Sequence, residues 1–177
     1  SIDESLCRLQ TDYIDLMLLH QPFCDRYGAY RALEEAYKEG KLRAIGVSNF
    51  YPDHFIDIAS NMEIVPAVNQ VETHVFDQQI EPQRIMEEFG TRIMSWGPLA
   101  EGRNGLFTNP VLARIGGKYG KSVAQVALRW LVQRGVIIIP KSTHTERMRQ
   151  NIDIFDFSLS DEDMAAIAAL DTGRSLF

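Results

Sequence analysis

The feature that most constrains this chain is a rhythm. Short, nearly continuous apolar runs alternate with longer segments whose apolar residues return at helical spacing. The runs are Ile14 to Leu19, Ala44 to Val47, Ala67 to Val71, Arg92 to Trp96 and Val136 to Ile139. A strand with one wet face alternates apolar and polar residues, whereas runs like these belong to strands covered on both faces, the mark of a parallel sheet flanked by helices. The helical stripes between them are Ile2, Leu6 and Leu9, then Tyr30, Leu33 and Tyr37 with Gly40 as the stop. Pro52 opens a helix with Phe55, Ala59 and Met62 on one side, and Pro82 opens one carrying Ile85 and Phe89, closed by Gly90. Asn109-Pro110 is a cap and first-turn signal for a short helix ending near Gly120. Ser122-x-x-Gln125 has capping-box spacing ahead of Ala127, Trp130 and Leu131, while Thr143-x-x-Glu146 and Ser160-x-x-Asp163 announce two final helices.

A parallel sheet of this kind is either open and doubly wound or closed into a barrel. A dinucleotide-binding doubly wound domain places G-x-G-x-x-G between its first strand and helix, but Gly116-Gly117-Lys118-Tyr119-Gly120 has other spacing and lies at a helix end. The expected fold is therefore α/β, a (β/α)8 or TIM barrel, as a single domain over residues 1–177 that supplies the last five β/α units. Because the first segment is already a helix that would follow a strand, the three remaining strands are expected to precede residue 1.

The 177 residues are 45% hydrophobic and 24% charged, ordinary for one globular domain. A net charge of −6 argues against the basic surface that nucleic acid requires. No run approaches the roughly 18 apolar residues of a membrane span, and Ser1 opens a helix-like segment rather than a leader, so a cytoplasmic protein is expected. Of the two cysteines, Cys7 is expected in the core and Cys24 in a loop after a strand, both as unpaired thiols rather than a disulfide or metal site.

In such a barrel the reactive groups sit at the carboxyl ends of the strands. Those positions hold His20, then Ser48 and Asn49, then Gln70 and Glu72, then Trp96, then Lys141 and Ser142. A histidine, amide-binding groups, an aromatic plate and a cation on one rim would compose a site. Each also has a plain structural reading: His20 satisfied by backbone groups, Ser48-Asn49 as a turn device, Gln70 as a polar plug, Trp96 as core, and Lys141 with Arg147 as a solvated basic face. Trp130, on a helix among Val126, Ala127 and Leu131, reads as structural.

The strings DYIDLMLLHQP, GKLRAIGVSNF, PAVNQVETH, SWGPLAEG and IPKSTHTERMRQN, in this order and spacing, resemble the aldo-keto reductase family, above all its bacterial members of the 2,5-diketogluconate reductase and glyoxal reductase type. The resemblance implies an NADPH-dependent oxidoreductase that reduces aldehydes and ketones, including small dicarbonyl compounds, to alcohols by hydride transfer, as a monomer with no metal. It implies that His20 hydrogen-bonds the carbonyl oxygen, a task a neutral imidazole performs without a change of charge. It implies that Ser48, Asn49 and Gln70 hold the nicotinamide carboxamide and that Trp96 stacks on the nicotinamide ring. Gly97, Pro98, Leu99 and Ala100, with the stretch Glu101 to Gly105, resemble the loop around the cofactor pyrophosphate. Lys141, Ser142 and Arg147 match the cluster around the 2′-phosphate, with Gln150 and Asn151 near the adenine, although glutamate often stands where this chain has Gln150.

The family's proton donor is a tyrosine assisted by a lysine and an aspartate, all from the first part of the barrel. None of Tyr13, Tyr27, Tyr30, Tyr37, Tyr51 and Tyr119 lies in that motif, so this trio is expected outside the chain, and Leu170 to Phe177 resembles a family segment that normally continues. Two other functions stay open on the sequence. One is a regulatory subunit that binds NADP(H) on the same fold without catalysis. The other is a barrel lyase or isomerase, which would also want Lys141 and Ser142 near phosphate but does not require Gln70 or Trp96.

Overall fold

The computed structural model describes residues 1–23 and 25–176, so the expectation for Cys24 lies outside the described residues. Eight helices, α1 (Ile2–Leu9), α2 (Arg26–Lys38), α3 (Pro52–Asn61), α4 (Ile80–Glu88), α5 (Pro110–Tyr119), α6 (Val123–Gln133), α7 (Thr145–Ile152) and α8 (Asp161–Ala168), occur among the described residues with five strands. The strands are β1 (Met17–Leu19), β2 (Ile45–Ser48), β3 (Val68–Glu72), β4 (Arg92–Trp96) and β5 (Ile137–Ile138), in the sheet order β1-β2-β3-β4-β5. Pairing is parallel: Leu18 lies opposite Gly46, Ser48 opposite Gln70, and Met94 opposite Ile137. The α/β fold with a parallel sheet thus matches the expectation from the apolar runs.

The chain divides into two compact units, Ser1–Val71 with Glu81–Ile93 and Glu72–Ile80 with Met94–Phe177. The first is packed around Tyr30, Ile45, Val47, Phe50, Phe55 and Ile58, each at most 1% exposed. Burial, reinforced by the charge of Glu34, pushes the Tyr30 phenol well above its ordinary pKa, and its hydroxyl donates to the Ile64 carbonyl at 3.0 Å. Gly46 has a specific reason to be glycine, because a Cβ there would lie 2.6 Å from the Val68 carbonyl oxygen and 2.8 Å from Leu18. The backbones of β2 and β3 approach too closely for any side chain.

The second unit is packed around Leu106, Leu112, Ile115, Val126, Leu128, Trp130, Leu131 and Ile167. Trp130 is core, as expected; its indole donates to the Met164 carbonyl at 3.3 Å and carries the Arg134 guanidinium 4.5 Å above its ring. Burying such side chains contributes about 1.5–3 kcal/mol each. Asp163 on α8 is buried and accepts from Lys118 and Tyr119 of α5, at 2.6 and 2.8 Å.

Several local expectations are corrected. Cys7 is exposed rather than core. Helix α1 buries none of its residues: Ile2 and Leu6 are half-buried and Leu9, on the same stripe, is exposed. Helix α4 starts at Ile80 and not at Pro82, because a proline in the first turn lacks only an N–H that has no helical partner there. Strand β1 forms a single bridge at Ile14 and resumes its ladder at Met17. Strand β5 shrinks to two residues, since it has a ladder partner on one side only and Pro140 brings no N–H. At α7 the cap position is His144 rather than Thr143, because the Ser142 hydroxyl accepts the His144 N–H at 3.1 Å and closes a local turn instead.

Candidate functional site

In the first unit the carboxyl ends of β1, β2 and β3 bring four of the expected residues together. Ser48 and Gln70 are register partners, and the Ser48 hydroxyl and the Asn49 N–H both donate to the Gln70 carbonyl at 2.9 Å. Asn49 has left-handed backbone, φ 60°, which turns its side chain back so that its amide donates to the His20 carbonyl at 3.3 Å and to the Ser48 hydroxyl at 3.2 Å. Asparagine tolerates that conformation better than other residues with a Cβ. Ser48 is buried, Asn49 and Gln70 are half-buried, and His20 is exposed at the rim.

In the second unit Trp96 ends β4, half-buried, and its carbonyl accepts the Thr73 N–H at 3.3 Å. From there Gly97 to Gly105 form a tight loop in which Gly97, Ala100, Glu101, Gly102, Asn104 and Gly105 all have φ between 50° and 73°. Each residue with a Cβ in that conformation costs about 1–2 kcal/mol, so the loop holds its shape only because its surroundings impose it. Pro98 and Ala100 are buried, which anchors it.

A cleft of about 490 Å³ opens beside this loop, lined by Leu99, Phe107, Ser122, Val123, Ala124, Lys141, Ser142, Arg147, Gln150 and Asn151. Arg147 lies in the first turn of α7, which carries no side-chain cap hydrogen bond. Residues next in sequence to the lining are tied together: the Gln125 amide donates to the Asp153 carbonyl at 2.7 Å, and the Lys121 ammonium spans Asp153 and Asp156 at 2.9 and 2.8 Å. Two cations, two hydroxyls, two carboxamides and an apolar floor suit a phosphate-bearing nucleoside: the charges and hydroxyls for the anion, the amides and apolar surface for the base.

Six residues named from the resemblance, Leu99, Lys141, Ser142, Arg147, Gln150 and Asn151, line this one cleft. Gly97, Pro98 and Ala100 belong to its loop without lining it, and Trp96 precedes it. The sequence did not single out Phe107, Val123 or Ala124, and marked Ser122 only as a helix cap; nothing in their local pattern distinguishes them from ordinary loop and first-turn residues. Glu72 and His74 are likewise buried and paired at 2.9 Å, although the sequence pattern gives neither a specific role. Among the described residues no cluster of histidine, cysteine, aspartate or glutamate has the makings of a metal site, and no helix is long and apolar enough to cross a membrane.

Residues 1–172 match the model of the aldo/keto reductase family. The chain belongs to that family. Among its aldo/keto reductase relatives, glyoxal reductase of Bacillus subtilis is 49% identical over 171 residues, covering 96% of this chain and 61% of the relative. The crystal structure of an aldo-keto reductase from a Medee basin deep-sea metagenome library superposes with a TM-score of 0.95 at 41% identity, covering 99% of this chain and 66% of that one. An aldo-keto reductase of Bombyx mori, solved in complex with NADP, superposes with a TM-score of 0.92 at 34% identity, over 99% of this chain and 63% of that one. The chain therefore spans about three-fifths of the length of the curated relatives it matches.

Proposed function

We propose that this chain is the cofactor-holding part of an NADPH-dependent reductase that converts small aldehydes, ketones or dicarbonyl compounds to alcohols. The observation that carries the proposal is the cleft in which Leu99, Lys141, Ser142, Arg147, Gln150 and Asn151 meet. The name of the glyoxal reductase relative and the NADP-bound silkworm structure point the same way.

When bound, NADPH supplies a hydride for the carbonyl carbon. Lys141, Arg147, the Ser142 hydroxyl and the first-turn amides of α7 hold the 2′-phosphate, which separates NADPH from NADH by charge. Gln150 and Asn151 orient the adenine, and the Gly97–Gly105 loop offers backbone N–H groups to the pyrophosphate. By the family resemblance, Ser48, Asn49 and Gln70 would hold the carboxamide and Trp96 would offer its flat face to the nicotinamide ring. His20 donates to the carbonyl oxygen and sets its orientation. We assign the proton of the product hydroxyl to none of the six tyrosines of this chain. The same reading makes the complete enzyme a cytoplasmic monomer.

The test is NADPH binding followed by quenching of tryptophan fluorescence, with Trp96→Phe, Lys141→Ala and Arg147→Ala beside the unaltered protein, and carbonyl-dependent oxidation of NADPH measured in the full-length enzyme. Loss of quenching with Trp96→Phe, loss of the preference for NADPH over NADH with the two charge variants, and turnover with a dicarbonyl are the expected results. A folded protein that ignores NADPH would remove the cofactor reading, and binding without turnover would favour the regulatory alternative.

A further inference from the structure

The sequence between β3 and α4 and the segment 172–176 meet at a buried carboxylate that the proposed chemistry does not use. Glu72 is 1% exposed and accepts three hydrogen bonds: from the His74 ring at 2.9 Å, from the Ser175 hydroxyl at 2.5 Å and from the Leu176 N–H at 2.9 Å. The tautomer follows from the neighbours, because the Phe76 and Asp77 N–H groups both donate to His74 Nδ1, at 3.2 and 3.1 Å, which leaves the proton on Nε2 facing Glu72. Burial acts to raise the Glu72 pKa, but the donors from Ser175, Leu176 and His74 together outweigh it and hold the carboxyl below the ordinary glutamate value. A buried carboxylate is retained when its acceptor sites are filled, and here Ser175 and Leu176 supply two of the three donors.

The Leu176 peptide is gripped at both ends, because its carbonyl accepts from Arg103 at 3.1 Å while its N–H is held by Glu72. Arg103 belongs to the left-handed loop whose Leu99, with Phe107 just after it, lines the cleft. The segment is held a second time upstream, where the Thr172 N–H and hydroxyl donate to the Phe76 carbonyl at 2.9 and 2.8 Å. The 97–105 loop is strained and makes short-range turns of its own, Ala100 N–H to Gly97 carbonyl and Arg103 N–H to Ala100 carbonyl, each at 2.8 Å.

We infer that Glu72 is a positioning residue: through Leu176 and Arg103 it latches the 97–105 loop against the cleft, and so controls how long a nucleotide stays bound. The link to a nucleotide rests on the function proposed above, whereas the latch itself does not. Glu72→Gln removes the charge and replaces one of the two acceptor oxygens by an N–H donor, so it cannot accept from His74, Ser175 and Leu176 as the carboxylate does, and Leu176→Pro removes the gripped N–H while leaving Glu72 and Arg103 in place. Hydrogen exchange of the cofactor-free protein reads the latch: both variants should raise exchange at the Ala100 and Arg103 amides by about tenfold or more, with α6 amides unchanged. Ser175→Ala should do so less, and Ser175→Thr, which keeps the donor, should restore the unaltered rate.

In the presence of NADPH, both variants should speed nucleotide dissociation by a similar factor with little change in association, and the double variant should be no worse than either single one. Unchanged loop exchange in Leu176→Pro would overturn the latch. Raised loop exchange with unchanged NADPH dissociation would overturn the nucleotide link. Failure of even the unaltered protein to bind NADPH would instead count against the proposed function and leave the exchange result standing on its own.

Discussion

The polar rim of the first unit and the cleft of the second are built by different means. At the rim, Ser48 and Gln70 face each other because they are ladder partners, and Asn49 follows one residue on; backbone pairing alone fixes their spacing. In the cleft, Leu99, Phe107, Ser122, Lys141 and Arg147 come from loops and the starts of helices, and no ladder connects them. A site on strands inherits its precision from the sheet, whereas a site on loops depends on separate fastenings such as Lys121, Gln125 and Glu72.

The comparison breaks most severely at Gly46. Gly46→Ala drives a methyl into the Val68 carbonyl and should destabilise the protein by about 2–3 kcal/mol, seen as a lower urea midpoint, with the Ser48–Gln70 pairing disturbed and the cleft of the second unit less affected. A larger loss of order in the cleft than at the rim would contradict the distinction.

Next in size is Asp163, which fastens α5 to α8 in the second unit. The Lys118 ammonium holds the Asp163 carboxyl below the ordinary aspartate value, against burial and with help from the Tyr119 and Ser160 hydroxyls. A depressed pKa stabilises the fold above the unfolded value, and that contribution is lost as pH falls through the folded value. Asp163→Asn should therefore cost about 2 kcal/mol at neutral pH, and its difference from the unaltered protein should shrink at acid pH in denaturation curves.

On the binding side, Lys141→Ala should weaken NADPH binding by about 10- to 100-fold while leaving NADH nearly untouched, and Ser48→Ala should weaken both alike by a smaller factor, as titration calorimetry would record. An equal effect of Lys141→Ala on both nucleotides would move the 2′-phosphate away from this cleft. The smallest effect is expected in the loop. Glu101 is exposed with φ 51°, so Glu101→Gly should raise stability by about 1 kcal/mol or less, whereas Asn104→Gly, at φ 55°, should change little because asparagine already tolerates the conformation. Thermal melts separate the two.

The apolar runs and caps predicted nearly every element, because strand burial and helix capping are local signals: Ser122 with Gln125 and Ser160 with Asp163 cap as their spacing suggests. Local signals misled where a competing contact decided the outcome. The Ser142–His144 turn displaces Thr143 from the cap, Pro82 falls inside a helix that starts at Ile80, and Cys7 is exposed on a helix that buries none of its residues. Among the candidate site residues, Ser48 was legible from the sequence as a polar side chain that closes the apolar run ending at Val47, and Trp96 as the large aromatic on which β4 stops.

What the sequence by itself determined is the order of the elements, the parallel sheet and the family to which the chain belongs, since periodicity, caps and motif spacing are properties of the chain read in one dimension. Only the tertiary structure decided that Phe107, Ser122, Val123 and Ala124 share a cleft with Lys141 and Arg147, and that Glu72 grips Leu176 across 104 residues. The physical reason is the same in both cases. Contacts between loops and between buried polar groups depend on the fold having first brought distant segments within hydrogen-bond reach, and no local propensity records that distance.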